Sequence, residues 1–154
     1  MKMDYTKMPV VWSRILIDGD PGAGKTTLAK EISKATGAKH ISFDDYLRGN
    51  RENYLQQLNY QKLQQDILEG TGKIIMEGVC ALAVVAKIEI KYDFHIFIKR
   101  LNGFVGWDFE QYLNPKVKLP RSRLTAEVVM YYRQYKPYQI CDCEMSRDIL
   151  EGLL

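Results

Sequence analysis

A stretch of nine residues near the start of the chain, Gly19 to Thr27, reads GDPGAGKTT. Glycine and proline break regular structure, so this stretch cannot be the middle of a helix or a strand. Its first eight residues fit the pattern G-x-x-x-x-G-K-T, in which glycines let successive backbone N–H groups point at an anion. Lys25 can reach the β- and γ-phosphates as a point charge, and the Thr26 hydroxyl can ligate Mg²⁺. The stretch therefore predicts a loop that holds a nucleoside triphosphate.

The sequence around this stretch supports the same interpretation. Ile15, Leu16 and Ile17 precede it and are typical of a buried strand, and a helical pattern follows it. A phosphate-binding loop needs this context, which favours it over a chance match in a glycine-rich turn. The residues expected to contact ATP are Gly19, Asp20, Pro21, Gly22, Ala23, Gly24, Lys25, Thr26 and Thr27.

Acidic residues follow two further strand-like runs. Asp44 and Asp45 come directly after the second run, in ISFDDYL, and Glu77 ends the third, in KIIMEG. Ligands bind beyond the carboxyl ends of parallel strands, so these carboxylates are expected beside the phosphate loop. Such a group can accept a proton from an attacking hydroxyl or support Mg²⁺. Either aspartate could take the first role, Asp45 could instead cap a turn, and the expected metal-binding residues are Thr26, Glu77 and Asp44.

Strand-like and helical runs alternate along the chain, which predicts an α/β fold with a central parallel sheet and helices on both faces. The predicted strands are Val11–Asp18, Lys39–Ser42, Lys73–Met76 and Asp93–Lys99. The predicted helices are Lys25–Thr36, Glu52–Leu68, Trp107–Leu113, Ser122–Lys136 and a tail over Glu144–Leu154, with Gly37 and Gly70 as C-caps.

Composition and charge narrow the class of protein. The 154 residues, 46% of them hydrophobic and 27% charged, suit one globular domain over residues 1–154. A formal net charge of +3 gives little support to nucleic-acid binding. No apolar run approaches the roughly 18 residues of a membrane helix, and no signal peptide is evident, so we expect a cytoplasmic protein without a membrane partner.

Cysteines and histidines give weaker signals. Cys141 and Cys143 form a C-x-C pair, but a zinc site needs a second pair or nearby histidines. His40 and His95 lie in separate strand-like runs, and we expect both to be ordinary packed or edge residues.

Taken together, the GxxxxGK[ST] loop, SFDDY (Ser42–Tyr46) and IIMEG (Ile74–Gly78) resemble the uridine kinase and nicotinamide riboside kinase group of P-loop kinases. The segment VVMYYRQYKP (Val128–Pro137) is similar to the helix beyond the lid of that group. The resemblance implies a three-layer P-loop fold, a catalytic role for Asp44 on the substrate hydroxyl, and a substrate contact by Tyr46. It also implies that Glu77 lies near Mg²⁺ and that Thr26 ligates it.

The chain departs from that group in two places. Between Tyr46 and Lys73 it has a segment shorter than the one that helps uridine kinases to recognise the nucleoside. The candidate lid, residues 114–123 (NPKVKLPRSR), has four basic residues and no acid. It is either a solvated loop or a lid whose Arg121 and Arg123 stabilise the transferring phosphoryl group.

These features predict a kinase that uses ATP and Mg²⁺ to phosphorylate a hydroxyl of a small polar molecule. A polynucleotide-end or toxin-like kinase and an ATP-binding module without turnover are the alternatives. A GTPase switch is disfavoured, because no Asp has Gly three residues later and no Asn-Lys pair exists. The identity of the acceptor and the oligomeric state stay open at this level.

Overall fold

A central sheet organises the protein, whose computed structural model describes residues 1–150. Its strands are β1 (Arg14–Gly19), β2 (Lys39–Ser42), β3 (Ile74–Glu77), β4 (Phe94–Asn102), β5 (Gly106–Trp107) and β6 (Cys143–Asp148). The parallel order is β2-β3-β1-β4, with β6 parallel to β4 on its far edge. The end of β4 runs past β1 and turns back into β5, which pairs antiparallel to it. This hairpin therefore stands above the end of β1, where the phosphate loop begins.

Helices cover both faces of the sheet. They are α1 (Lys25–Thr36), α2 (Tyr54–Gln57), α3 (Tyr60–Glu69), α4 (Ala81–Lys87), α5 (Arg123–Tyr135) and α6 (Pro137–Ile140). Alternate residues of β1 point to opposite faces: Ile15 and Ile17 pack with Leu28 of α1, whereas Leu16 packs in the cluster that contains α3, α4 and α5. The predicted α/β architecture with helices on both faces is confirmed. None of the helices in residues 1–150 has the length and apolar character needed to cross a membrane.

Most predicted elements around the loop are confirmed. The bounds predicted for β2 and α1 agree with the structure, and Gly37 and Gly70 are the C-caps of α1 and α3. The first strand begins only at Arg14, and Val11 is exposed. The fourth strand begins one residue later than predicted, at Phe94, and ends three residues later, at Asn102. The extra residues form the hairpin with β5.

Three predicted helices need correction. The helix predicted over Glu52–Leu68 is broken into α2 and α3, because the Asn59 side chain accepts a hydrogen bond from Lys62 N–H and starts a new helix. The run predicted over Trp107–Leu113 begins in β5 and continues as a 3₁₀ turn. The tail predicted as a helix from Glu144 is instead β6, and its last residues, 151–154, lie outside the described residues.

Gly19 marks the point where the sheet and the loop meet. Its φ is +145°, and a Cβ at this position would lie 2.2 Å from the carbonyl oxygen of Ile98 on β4. A separation that short requires one of the two backbones to move, so only glycine lets β1 and β4 pair up to the start of the loop.

We therefore expect Gly19→Ala to lower the free energy of unfolding by at least about 2 kcal/mol. The matched control is Gly37→Ala. Gly37 also has a positive φ, +74°, but a Cβ there meets nothing within 4 Å, so the expected loss is about 1 kcal/mol. Urea unfolding of both variants measures the difference, and equal losses would contradict a steric role for Gly19.

Candidate active site

The loop between β1 and α1 presents the first turn of α1 to the cleft. Gly24 takes a left-handed conformation with φ +94° and is the N-cap residue, so that Lys25 and Thr26 open the helix. N–H groups in a first helical turn have no intrahelical acceptor, and the helix dipole adds partial positive charge there. The loop and helix therefore form an anion-binding end of the kind predicted from the sequence.

The Lys25 ammonium is buried against the loop itself. Its Nζ donates hydrogen bonds to the carbonyl oxygens of Gly19, at 3.1 Å, and Asp20, at 2.6 Å. Burial lowers the pKa of Lys25, and nearby carboxylates, Asp18 foremost, act in the opposite direction. The side chain thus stays against the backbone that a phosphate chain would follow.

Thr26 and Glu77 meet across the cleft. The Thr26 hydroxyl donates to Glu77 Oε1 at 3.0 Å, although the two residues are 51 positions apart in sequence. Glu77 is buried at the end of β3, and the same oxygen lies 3.1 Å from His40 Nε2 at the neighbouring β2. Parallel pairing of β2, β3 and β1 brings these groups to one edge of the sheet.

The two aspartates after β2 are separated by the 3₁₀ turn Phe43–Tyr46. Asp44 faces the cleft, where its Oδ1 accepts from Tyr54 OH at 2.8 Å and its Oδ2 lies 3.1 Å from Arg51 Nη2. Asp45 is exposed and does not line the cleft. Geometry therefore favours Asp44 over Asp45 as the carboxylate beside the loop.

The cleft has a volume of about 300 Å³. Its lining residues are Gly22, Gly24, Lys25, Thr26, Asp44, Arg51, Glu77, Gly78 and Arg147. Six of these are predicted site residues: Gly22, Gly24, Lys25, Thr26, Asp44 and Glu77.

Other predicted site residues lie elsewhere. The Tyr46 hydroxyl donates to Asp66 Oδ2 of α3 at 2.6 Å, which turns it away from the lining of the cleft. Arg121 is exposed, and Arg123 pairs with Glu52 at 3.3 Å. Ser122 is the N-cap of α5, so Arg121 precedes the helix whereas Arg123 is its first residue, and their side chains do not share one side of an extended segment.

Asp20 was expected to contact the nucleotide, but its side chain points into the protein. Oδ2 accepts from Arg100 N–H at 2.6 Å and from Trp107 Nε1 at 2.8 Å, and Oδ1 accepts from the Tyr132 hydroxyl. The Asp20 N–H is also engaged, with the Ile98 carbonyl oxygen at 3.1 Å. The residue therefore anchors the loop to the β4–β5 hairpin and to α5.

The sequence analysis did not identify four polar residues that line the cleft or contact its carboxylates. His40 contacts Glu77, Tyr54 and Arg51 hold Asp44, and Arg147 reaches the loop from β6. His40 had been expected to be an ordinary strand residue. Its place in β2, two residues before the strand ends at Ser42, was the available signal. Arg147 gave none, because its segment was predicted to be helical.

Burial of the Asp20 carboxyl makes the stability of the protein depend on pH. Burial raises its pKa to about 6, while the hydrogen bonds from Arg100, Tyr132 and Trp107 pull in the opposite direction. The folded protein therefore keeps this proton between pH 4 and 6, whereas the unfolded chain loses it near pH 4. The contribution of Asp20 to stability is complete below pH 4 and is lost as the pH rises to about 6.

Asp20→Asn removes this titration and keeps the shape of the side chain. We expect the variant to gain stability relative to the wild type as the pH rises from 4 to 7, by up to about 3 kcal/mol. Urea unfolding at intervals of one pH unit measures this difference. The control is Asp45→Asn at an exposed position, and a flat difference for Asp20→Asn would contradict the assignment.

Comparison with known proteins agrees with this architecture. The profile of the AAA domain family matches residues 19–115. An adenylate kinase from Haloarcula marismortui is 49% identical over 39 residues, which are 25% of this chain and 18% of that protein, so the chain matches less than a fifth of the curated relative's length.

Solved structures show the same fold at low sequence identity. A possible uridine kinase from Bacillus stearothermophilus superposes with a TM-score of 0.56 at 18% identity, over 90% of each chain. Shikimate kinase from Aquifex aeolicus superposes with a TM-score of 0.51 at 16% identity, over 86% of each chain. Because the family model matches more than half of the chain, from the loop through Glu77, the chain belongs to the AAA domain family.

Proposed function

We propose that this protein is an ATP-dependent kinase that transfers the γ-phosphoryl group to a hydroxyl of a small polar metabolite. The observation that carries the proposal is the convergence of Lys25, Thr26, Asp44 and Glu77 in one cleft of about 300 Å³. An anion-binding loop alone would suit any nucleotide-binding protein. Transfer to a hydroxyl also requires a carboxylate that faces the loop, and Asp44 in the turn after β2 meets this requirement.

The loop from Gly19 to Thr27 would hold the phosphates of ATP. Gly22, Gly24, Lys25 and Thr26 line the cleft and would donate their N–H groups, while Asp20 keeps the loop in shape. Lys25 Nζ would exchange its two loop carbonyls for β- and γ-phosphate oxygens, a short movement within the same pocket. Its charge then lies where negative charge develops during transfer.

The donor set at the cleft fits Mg²⁺. Thr26 Oγ1 and the Glu77 carboxylate are hard oxygen donors that already lie 3.0 Å apart. No group of three or more His, Cys, Asp or Glu side chains in residues 1–150 is arranged to hold a metal, which suits an ion that phosphates and water largely coordinate. When bound, Mg²⁺ neutralises charge on the β- and γ-phosphates. Thr26 would hold it directly, with Glu77 and Asp44 in support.

Asp44 would act on the acceptor. Its two oxygens are oriented by Tyr54 OH and Arg51, and it stands at the cleft opposite the loop. A hydroxyl placed between Asp44 and the loop could give its proton to this carboxylate as it attacks the γ-phosphorus. Substrate contact by Tyr46 stays a prediction, because its hydroxyl is bonded to Asp66.

Residues 114–123 remain our candidate lid within a single kinase domain of residues 1–154. Arg133 of α5 binds the carbonyl oxygens of Tyr112, Asn114 and Val117, so the first part of this segment is anchored. Arg121 and Arg123 follow that anchor, and Arg123 would have to leave Glu52 to reach a phosphate. Closure would therefore involve the second half of the segment.

The alternative functions differ in whether a phosphoryl group is transferred and in the size of the molecule that accepts it. A module that only binds ATP would have no use for Asp44 in the cleft, and a polynucleotide-end or toxin-like kinase would take a larger hydroxyl substrate. The proposal includes a cytoplasmic location, in keeping with ATP as the substrate. A phosphoryl-transfer screen over nucleosides, vitamins, sugars and short oligonucleotides, with γ-labelled ATP, separates these functions.

Lys25→Ala tests the nucleotide site. We expect it to weaken ATP binding and to abolish most turnover, because the loop loses the ammonium group that would contact the β- and γ-phosphates. Calorimetric titration with Mg·ATP and the transfer assay measure both effects, and thermal unfolding checks that the fold is intact. Wild-type binding and turnover in this variant would refute the proposed function.

Asp44→Asn tests the chemical step. It should lower kcat by about 10²–10⁴ while changing ATP affinity much less, because the base is removed and the shape is kept. Asp45→Asn is the matched control on the exposed side of the same turn, and we expect near-normal kcat. If Asp45→Asn lowered kcat strongly and Asp44→Asn did not, Asp45 would be the catalytic base instead.

A further inference from the structure

Two arginines outside the P-loop motif face the loop from adjacent strands. Arg100 on β4 and Arg147 on β6 are register partners in the parallel ladder. A Cβ at Gly22 would lie 3.3 Å from Arg100 Nη1, and a Cβ at Gly24 would lie 3.2 Å from Arg147 Nη1. The two guanidinium groups therefore flank the Gly22–Gly24 segment, one at each end.

The charges around this pair are poorly compensated. Like charges at directly opposite positions of neighbouring strands are destabilising. Within residues 1–150, no carboxylate lies within salt-bridge distance of Arg147, and the nearest to Arg100 is Asp108, whose Oδ2 is 3.9 Å from Nε. That Nε is buried and has no hydrogen-bond partner in the described part of the chain. Arg147 is exposed and the Arg100 side chain is 41% exposed, so both guanidinium groups are accessible to the negative charge of a ligand.

We propose that Arg100 and Arg147 form a two-pronged clamp that binds the polyphosphate chain of the nucleotide on the loop. The proposal rests on the proposed function, since it assumes a nucleoside triphosphate in the cleft. Arg147 lines that cleft together with Lys25 and Thr26, and Arg100 approaches the same loop from the β4 side. Guanidinium groups bind phosphate oxygens bidentately, and two of them can engage adjacent phosphates.

The clamp differs from a mobile lid in how it is held. Both arginines stand on strands of the central sheet, and the Arg100 N–H donates to Asp20, the second residue of the loop, at 2.6 Å. Their positions relative to the loop are thus fixed by the β4–β6 ladder and by Asp20. The basic segment 114–123 would then add charge only on closure, whereas the clamp would act in the first binding step.

The test is equilibrium binding of Mg·ATP, ADP, AMP and inorganic tripolyphosphate to Arg100→Gln, Arg147→Gln and the double variant. We expect each single change to raise the Kd for ATP and tripolyphosphate about tenfold or more, with a smaller effect on AMP. Arg→Lys variants should recover part of the affinity, because charge is kept and the fork is lost. Arg14→Gln is the matched control, because Arg14 is the first residue of β1 and lies at the end of that strand away from the loop.

A second measurement separates ligand binding from a structural role. If the pair is repulsive without ligand, each Arg→Gln change should leave the melting temperature of the free protein unchanged or raised, while the shift caused by ATP becomes smaller. A fall in the free protein's melting temperature with normal ATP affinity would overturn the clamp.

The outcomes also distinguish the two proposals. Wild-type affinity for ATP and tripolyphosphate in the double arginine variant, with Lys25→Ala weakened, would overturn the clamp and leave the kinase proposal standing. Absence of ATP binding by the wild-type protein would overturn both.

Discussion

The phosphate loop depends on two buried carboxylates that stand on either side of Gly19. Asp18 accepts hydrogen bonds from the Gly19 N–H at 2.7 Å and from the Tyr131 hydroxyl, and Asp20 accepts from the Tyr132 hydroxyl. Consecutive tyrosines of α5 thus hold the residues before and after the glycine. Because an unpaired buried carboxylate is costly, these hydrogen bonds constrain α5, β1 and the start of the loop to one arrangement.

The same constraint extends to the β4–β5 hairpin. Trp107 donates its indole N–H to Asp20, and its ring packs beside Phe97 and Tyr132, at centroid distances of 6.0 and 5.9 Å. Asp20 therefore joins the loop, the hairpin and α5 through one side chain. A change in any of these elements would reach the loop through this carboxylate, so the hairpin helps to position the loop.

Sequence patterns predicted the parts of the site that follow from strand ends. Asp44 and Glu77 come directly after apolar runs, and parallel pairing necessarily brings such positions to one edge of the sheet. Arg147 could not be found in this way, because CDCEMSRD lacks the apolar run of a buried strand, and β6 is an edge strand half open to solvent. The inward turn of Asp20 was equally hidden, since its partners Trp107 and Tyr132 are 87 and 112 positions away.

The corrected elements share a physical cause. Local patterns favoured helices at Trp107–Leu113 and Glu144–Leu154, but β4 offers backbone hydrogen bonds on both edges. The second segment pairs along the far edge as β6, and the first begins in β5, which pairs beyond the end of β1 on the other edge. Pairing of β6 in turn places Arg147 beside Arg100, and pairing of β5 places Trp107 over the loop. The parts of β4 that sequence reasoning left unpaired are thus where the proposed phosphate site gains Arg147 and Trp107. In the proposed clamp, the positive charge beyond that of Lys25 comes from the sheet itself, at positions set by strand register rather than by the movement of a lid.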